Sequence, residues 1–171
     1  MSFILSVDNK KPVFGLDCFV APNATLVGDV SCGDSCSFWF NAVVRGDVNS
    51  ITLGNNVNVQ DGAVIHCTYQ KTKTVLGNNV SIGHNALVHG CTVGNNVLIG
   101  MGAIVMDNCI LEDNSLIAAG AVLLENTVVK SGEIWAGVPA KMVKKLSEET
   151  FKDQNERIAK NYTFYKNWFQ A

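Results

Sequence analysis

Along most of the chain an aliphatic residue followed by a small or polar one returns every six positions, often with Asn-Asn and then Val or Ala behind it. Leu53-Gly54-Asn55-Asn56-Val57, Leu76-Gly77-Asn78-Asn79-Val80 and Val93-Gly94-Asn95-Asn96-Val97 are plain examples. Phased on the aliphatic, the run reads Val20, Leu26, Cys32, Phe38, Val44, then Leu53, Val59, Ile65, then Leu76, Ile82, Val88, then Val93, Ile99, Val105, Leu111, Ile117 and Leu123. A period of six suits neither the ~3.6 of an α-helix nor the alternation of one long strand, but it suits short strands broken by tight corners. Each unit then forms one side of a triangular coil. The aliphatic points inward, and Gly or Asn takes the positive-φ corner. Coils stack through parallel strand hydrogen bonds about 4.8 Å apart.

Behind the repeats the periodicity changes. Ser147 is a candidate N-cap, and Glu148 and Glu149 suit the positive end of a helix dipole. Val143, Leu146, Phe151, Ile158, Tyr162, Tyr165 and Trp168 then recur at helical spacing. The expected organisation is one domain: residues 1–140 form the coil with a short N-terminal segment, and 141–171 form a helix packed along it.

Composition narrows the function classes. With 171 residues, 47% apolar and 16% charged, the chain can bury a core, and a formal net charge of −2 gives no basic footprint for nucleic acid. No apolar run approaches the ~20 residues that cross a bilayer, and the N-terminus lacks the basic flank and cleavage site of a signal peptide. A soluble cytoplasmic protein is expected. Cys18, Cys32, Cys36, Cys67, Cys91 and Cys109 form no CxxC pair and read as reduced thiols filling small core positions.

The three histidines are His66, His84 and His89. His66 follows Ile65 and His89 follows Val88, so both take the second place of a unit, whereas His84 is third in the unit starting at Ile82. If Cys67–Val75 is an enlarged corner loop, Ile65 and Val88 are three sides apart, which is one turn. His66 and His89 then share a face one coil apart, close enough to bind one metal with bonds of roughly 2.0–2.1 Å. Counting back through Val59 and Leu53 puts Arg45 in the same column, with Asp47 two residues on. His84 falls on the neighbouring face. In a trimer it approaches the His66–His89 pair of another subunit, which places the metal at the subunit interface. The plain alternative is three incidental strand and corner histidines.

The six-residue pattern resembles the hexapeptide-repeat family, and that resemblance supplies a left-handed parallel β-helix and a homotrimer; crossover rules alone favour the right hand. Val44-Arg45-Gly46-Asp47, Asn58-Val59-Gln60-Asp61-Gly62, Ile65-His66 and Ile82-Gly83-His84-Asn85-Ala86-Leu87-Val88-His89-Gly90, in this order, resemble the γ-class carbonic anhydrases. The resemblance implies His66, His84 and His89 as zinc ligands, His84 coming from the adjacent subunit. It implies Gln60 as the hydrogen-bond partner of metal-bound solvent, and Arg45, Asp47 and Asp61 as a polar and ionic group at the interface. Tyr162 resembles a tyrosine that short members place near the metal. The implied reaction is attack of metal-held hydroxide on CO2 to give bicarbonate, with Zn2+, Fe2+ or Co2+ all suited to three imidazoles.

The resemblance breaks at the proton shuttle. Well-characterised members carry a glutamate just after the Arg-x-Asp group, where Val48 stands here, and an acidic loop after the first histidine. The segment Cys67-Thr68-Tyr69-Gln70-Lys71-Thr72-Lys73-Thr74 has no carboxylate, so proton export is expected to be slow or to rely on buffer. Three competitors stand beside the anhydrase. A CoA-dependent acyltransferase fits the repeat and the Ala136-Gly137-Val138-Pro139-Ala140-Lys141 segment, with a histidine as general base. A metal-dependent acyl-CoA thioesterase asks for an open apolar approach to the metal. The last is a metal-stabilised trimer without catalysis.

Overall fold

The computed structural model describes residues 2–145 and 147–169, and of 148–154 the backbone alone. The chain winds a left-handed parallel β-helix of about seven turns, followed by one C-terminal α-helix. Each turn has three sides. One turn is Asn58–Val59, Val64–His66 and Thr74–Leu76, and every strand pairs in parallel with its counterpart in the next turn: Asn58–Val59 with Ser81–Ile82, Val64–His66 with Leu87–His89, Thr74–Leu76 with Thr92–Val93. The longer strands Thr25–Cys32 and Val43–Leu53 run through a corner and so join two of the three faces.

The phased aliphatics are the core. All of them from Leu26 to Leu123 are buried, while Val20, near the open first turn, is half-buried. A fully enclosed Ile65 or Ile99 gains about 1.5–3 kcal/mol from that burial. The repeat runs on beyond Leu123, the last of the phased aliphatics, with Val129 buried and Trp135 paired to Ile117.

Corner chemistry explains the Asn-Asn doublets. Asn56, Asn79, Asn96 and Asn114 sit at φ of 55°, 56°, 55° and 58°, a region that few non-glycine residues adopt. Their amides stack into a ladder along one corner, each Nδ2 donating to the next Oδ1 at 3.1, 2.9 and 3.2 Å. One residue type thus fixes the turn and ties consecutive coils.

Both ends differ from the expectation. Phe3–Leu5 pairs with Thr25–Val27 and Val13–Phe14 with Ser31–Cys32, so the short N-terminal segment supplies two edge strands. The helical part does not begin at 141: Ala140–Lys145 is a strand, antiparallel to Glu133–Gly137. A reversal at Val138-Pro139 ends the parallel stacking, and the exposed Lys141, Lys144 and Lys145 blunt the final edge against further pairing. Val143 accordingly lies exposed on that strand and not on a helical face; Leu146 and the Phe151 side chain lie outside the described residues.

The helix is Glu148–Tyr165, directly after Ser147, and runs on into a 3-10 turn, Lys166–Phe169. Its contact face is Asn155, Ala159, Tyr162 and Lys166. Asn155 donates to the Asn96 and Ser115 carbonyls at 2.7 and 3.3 Å, and Lys166 reaches Asp17 in the first coil at 2.6 Å, so the helix runs back along the coil. Tyr162 meets Trp39 edge-on at 5.3 Å, and Tyr165 packs against Tyr162, whereas Trp168 is exposed. Among the described residues no helix is long and apolar enough to cross a membrane.

Candidate metal centre

The strands Val64–His66 and Leu87–His89 pair in register, His66 opposite His89, and Val44 opposite Ile65 puts Arg45 next below in the same column. The predicted column is therefore present. His66 Nδ1 and His89 Nε2 face each other at 3.1 Å. The far side of each ring is held by an aspartate. His66 Nε2 donates to Asp47 Oδ1 at 3.0 Å, and His89 Nδ1 donates to Asp107 Oδ1 at 2.6 Å. Arg45 donates to the other Asp47 oxygen.

These contacts fix the tautomers by elimination. A carboxylate accepts, so both rings carry their proton on the far nitrogen, and neutral rings then confront each other with lone pairs. Two lone pairs at 3.1 Å repel unless a proton or a cation lies between them. Two ligands on one tetrahedral ion with bonds of roughly 2.0–2.1 Å are about 3.3 Å apart, close to the separation found. A carboxylate behind each imidazole is also the usual support for a metal-binding histidine.

Electrostatics favour a neutral His66 ring. Burial, outweighing the Asp47 hydrogen bond, holds His66 below its ordinary value. Against the opposing pull of burial, hydrogen bonds from His66 and Arg45 keep Asp47 low, and those from Thr68 and His89 keep Asp107 low.

His84 stands apart from this pair, in the corner between Ser81–Ile82 and Leu87–His89. Its Nδ1 pairs with Asp61 Oδ2 at 2.9 Å, and both side chains are half-buried. Asp61 and Asp47 are thus direct partners of histidines, a closer role than a general ionic group. His84, Gln60 and Tyr162 line one cavity of about 380 Å³ whose remaining wall includes Leu98, Met101, Leu116 and Ile117. Gln60 is buried; its Nε2 donates to Asn58 Oδ1 at 2.9 Å, and Asn58 in turn donates to Ser81 at 2.7 Å. Burial first, then the Asp61 and Tyr165 charges, push the Tyr162 phenol up to about 12. His89 and Asp107 open onto a second, apolar hollow with Leu87, Ile104, Val122 and Glu125.

The sequence reading missed Asp107. Besides His89 it accepts from Thr68 Oγ1 at 2.6 Å and Thr72 Oγ1 at 3.3 Å, which ties the loop after His66 down over the pair. Gly90 makes room for this: at φ 54° it takes the left-handed region, and a Cβ there would lie 1.9 Å from Asp107 Oδ1. The signal was available. Val105 follows Val88 by one turn, which sets Met106 next in the histidine column and Asp107 beside it.

A three-sided parallel coil of hexapeptide units, bearing a histidine pair backed by aspartates, defines the class of this chain. The Hexapep family model, "Bacterial transferase hexapeptide (six repeats)", matches residues 73–103 and 90–125. A probable carbonic anhydrase of Methanocaldococcus jannaschii is 46% identical over 80% of this chain and 86% of its own length. Gamma carbonic anhydrase 2, mitochondrial, of Arabidopsis thaliana is 40% identical over 93% of this chain, which spans 59% of that relative's length. A hexapeptide transferase family protein from Anaplasma phagocytophilum superposes with a TM-score of 0.91 at 39% identity, covering 98% of each chain. The chain belongs to the γ-class carbonic anhydrase-like family of hexapeptide-repeat proteins.

Proposed function

We propose that the protein is a metal-dependent carbonic anhydrase that hydrates CO2 reversibly to bicarbonate at the subunit interfaces of a homotrimer. The observation that carries this is the pair of facing ring nitrogens of His66 and His89, 3.1 Å apart with an aspartate behind each ring. His66 and His89 of one subunit would hold the ion, and His84 of a neighbouring subunit, its Nδ1 already engaged by Asp61, would add a third nitrogen. Zn2+ suits three imidazoles, as do Fe2+ and Co2+. The ion supplies Lewis acidity, which makes water a nucleophile at neutral pH.

The remaining work belongs to side chains. Gln60, held through Asn58, orients the reacting water with its amide oxygen and has no proton of its own to give up at neutral pH. Tyr162 stays protonated and serves as a hydrogen-bond donor in the same cavity. Arg45 grips Asp47, which fixes the His66 ring. Leu98, Met101 and Ile117 give CO2, a nonpolar molecule, a wall it need not desolvate against. The proton released on hydration leaves by way of buffer, because Val48 and the loop 67–74 offer it no carboxylate.

A thioesterase acting on acyl-CoA is the second reading, and the apolar wall beside His84 favours it. Metal analysis and stopped-flow CO2 hydration with and without added imidazole, on wild type and His89→Ala, decide between them. The anhydrase predicts about one metal per chain, a rate that rises with imidazole, and loss of both in the variant. Metal without hydration in either buffer would turn the assignment to the thioesterase or to a structural trimer; well under one metal per chain would remove the site itself.

A further inference from the structure

Three of the six cysteines meet at one corner near the start of the coil. The Sγ atoms of Cys18, Cys32 and Cys36 lie within 4.8 Å of one another, the sole such group of potential ligands among the described residues. Their convergence follows from the winding. Phe19 pairs with Ser37 in the stacked strands, so Cys18 sits directly below Cys36 one turn earlier. Cys32 ends the strand Thr25–Cys32 and faces them across the Gly33–Ser35 corner.

We propose that Cys18, Cys32 and Cys36 form a second metal site, a three-thiolate seat for a thiophilic closed-shell cation such as Cu+ or Zn2+. The Cys18 and Cys32 sulfurs are 3.9 Å apart. With metal–sulfur bonds of roughly 2.3 Å, ligands of one ion are about 4.0 Å apart in a trigonal arrangement and about 3.8 Å in a tetrahedral one, so this pair is already spaced for a single ion, with the Cys36 sulfur within 4.8 Å of both. Soft thiolates select these metals over the harder ions.

Access and charge agree with this. Cys32 and Cys36 are buried while Cys18 is half-exposed, which gives the ion an entry path and Zn2+ a solvent-side fourth position. The Lys166 ammonium, buried itself, is anchored on the Asp17 carbonyl and carboxylate next to Cys18 and brings positive charge to an anionic cluster. Metal binding would release the protons that Cys18 and Cys36 now donate to the Gly33 and Gly54 carbonyls at 3.3 and 3.1 Å.

The test is anaerobic titration of the reduced protein with Cd2+ and, separately, Cu+, followed by sulfur-to-metal charge-transfer absorption. Imidazole ligands give no such band, so the histidine site is silent in this readout. One equivalent per chain is expected to saturate the band; Cys18→Ser should abolish saturation at one equivalent, and Cys109→Ala should leave it intact. Circular dichroism confirms that each variant is folded. No band in the folded wild type, a band indifferent to Cys18→Ser, or thiols lost to a Cys18–Cys32 disulfide under these conditions would each overturn the proposal.

Discussion

Replacing Asp107 with Ala separates the support of a histidine from the histidine itself. The carboxylate accepts from His89 Nδ1 at 2.6 Å, from Thr68 at 2.6 Å and from Thr72 at 3.3 Å. Its loss frees the His89 ring to rotate and to shift its proton to the metal-facing nitrogen. Loss of such support typically costs 10–100-fold in metal affinity, or about 1.4–2.7 kcal/mol. The His89 and Thr68 donors left without their acceptor should cost the metal-free protein a further ~1–3 kcal/mol of stability. Zn2+ affinity by chelator competition measures the first quantity and urea unfolding of the metal-free protein the second. Thr68→Val is the control: it removes the shorter of the two loop contacts to Asp107 but leaves His89 held, so stability should fall with little change in affinity. An Asp107→Ala protein that binds Zn2+ within about twofold of wild type would refute the claim that Asp107 sets the His89 tautomer.

Other expectations follow from the coil and the helix. Ile99→Ala opens a cavity in the fully enclosed interior and should cost about 2–5 kcal/mol in urea unfolding; a loss under ~1 kcal/mol would mean the coil collapses to fill it. Asn96 combines φ 55° with two rungs of the amide ladder. Asn96→Ala should therefore lose about 1–2 kcal/mol to the left-handed conformation alone, and Asn96→Gly less, a ranking that thermal melts of the two variants check. Tyr162 has its folded value raised from 10.0 to about 12. Its contribution to stability is therefore fully present below the ordinary value and is lost as pH rises through the folded one. Tyr162→Phe should flatten the decline of stability above pH 10, as followed by unfolding midpoints along an alkaline series; an unchanged slope would contradict the burial of the phenol.

The column Arg45–His66–His89 could be counted from the sequence because the solenoid converts spacing into position: with the enlarged corner loop after His66 allowed for, His66 and His89 are one turn apart. Contacts made across corners could not be counted in this way. Asp107 reaches His89 from the next turn only because Gly90 lacks a side chain, and the loop threonines close over it. Cys18, Cys32 and Cys36 show spacings of fourteen and four that match no linear metal motif, since the corner at Gly33–Ser35 folds one of them across to the other two. Lys166 was hidden for another reason. A lysine in a terminal turn reads as solvated, and its burial depends on Asp17, 149 residues away. The hairpin after residue 133 replaced the expected start of the helix because Val138-Pro139 reverses the chain before helical periodicity sets in.

The third ligand of the proposed centre is where the solenoid constrains the chemistry most. Stacked rings one turn apart, with centroids 5.1 Å from each other, bring two nitrogens to one point. The column cannot supply another, because the places below and above are Arg45 and Met106. Arginine repels a cation, and the methionine thioether is a poor ligand for a hard or borderline ion. A donor must come from outside the column. His84 lies on an adjacent corner, with Asp61 behind it as Asp47 and Asp107 stand behind the other two. One chain thus carries a two-nitrogen half on one face and a one-nitrogen half on a corner, each already backed by a carboxylate. Rotation about a threefold axis parallel to the coil would join unlike halves of neighbouring copies. In that arrangement affinity for the metal and affinity between subunits are linked quantities, and His84→Ala should weaken both together while leaving the fold of the single chain intact.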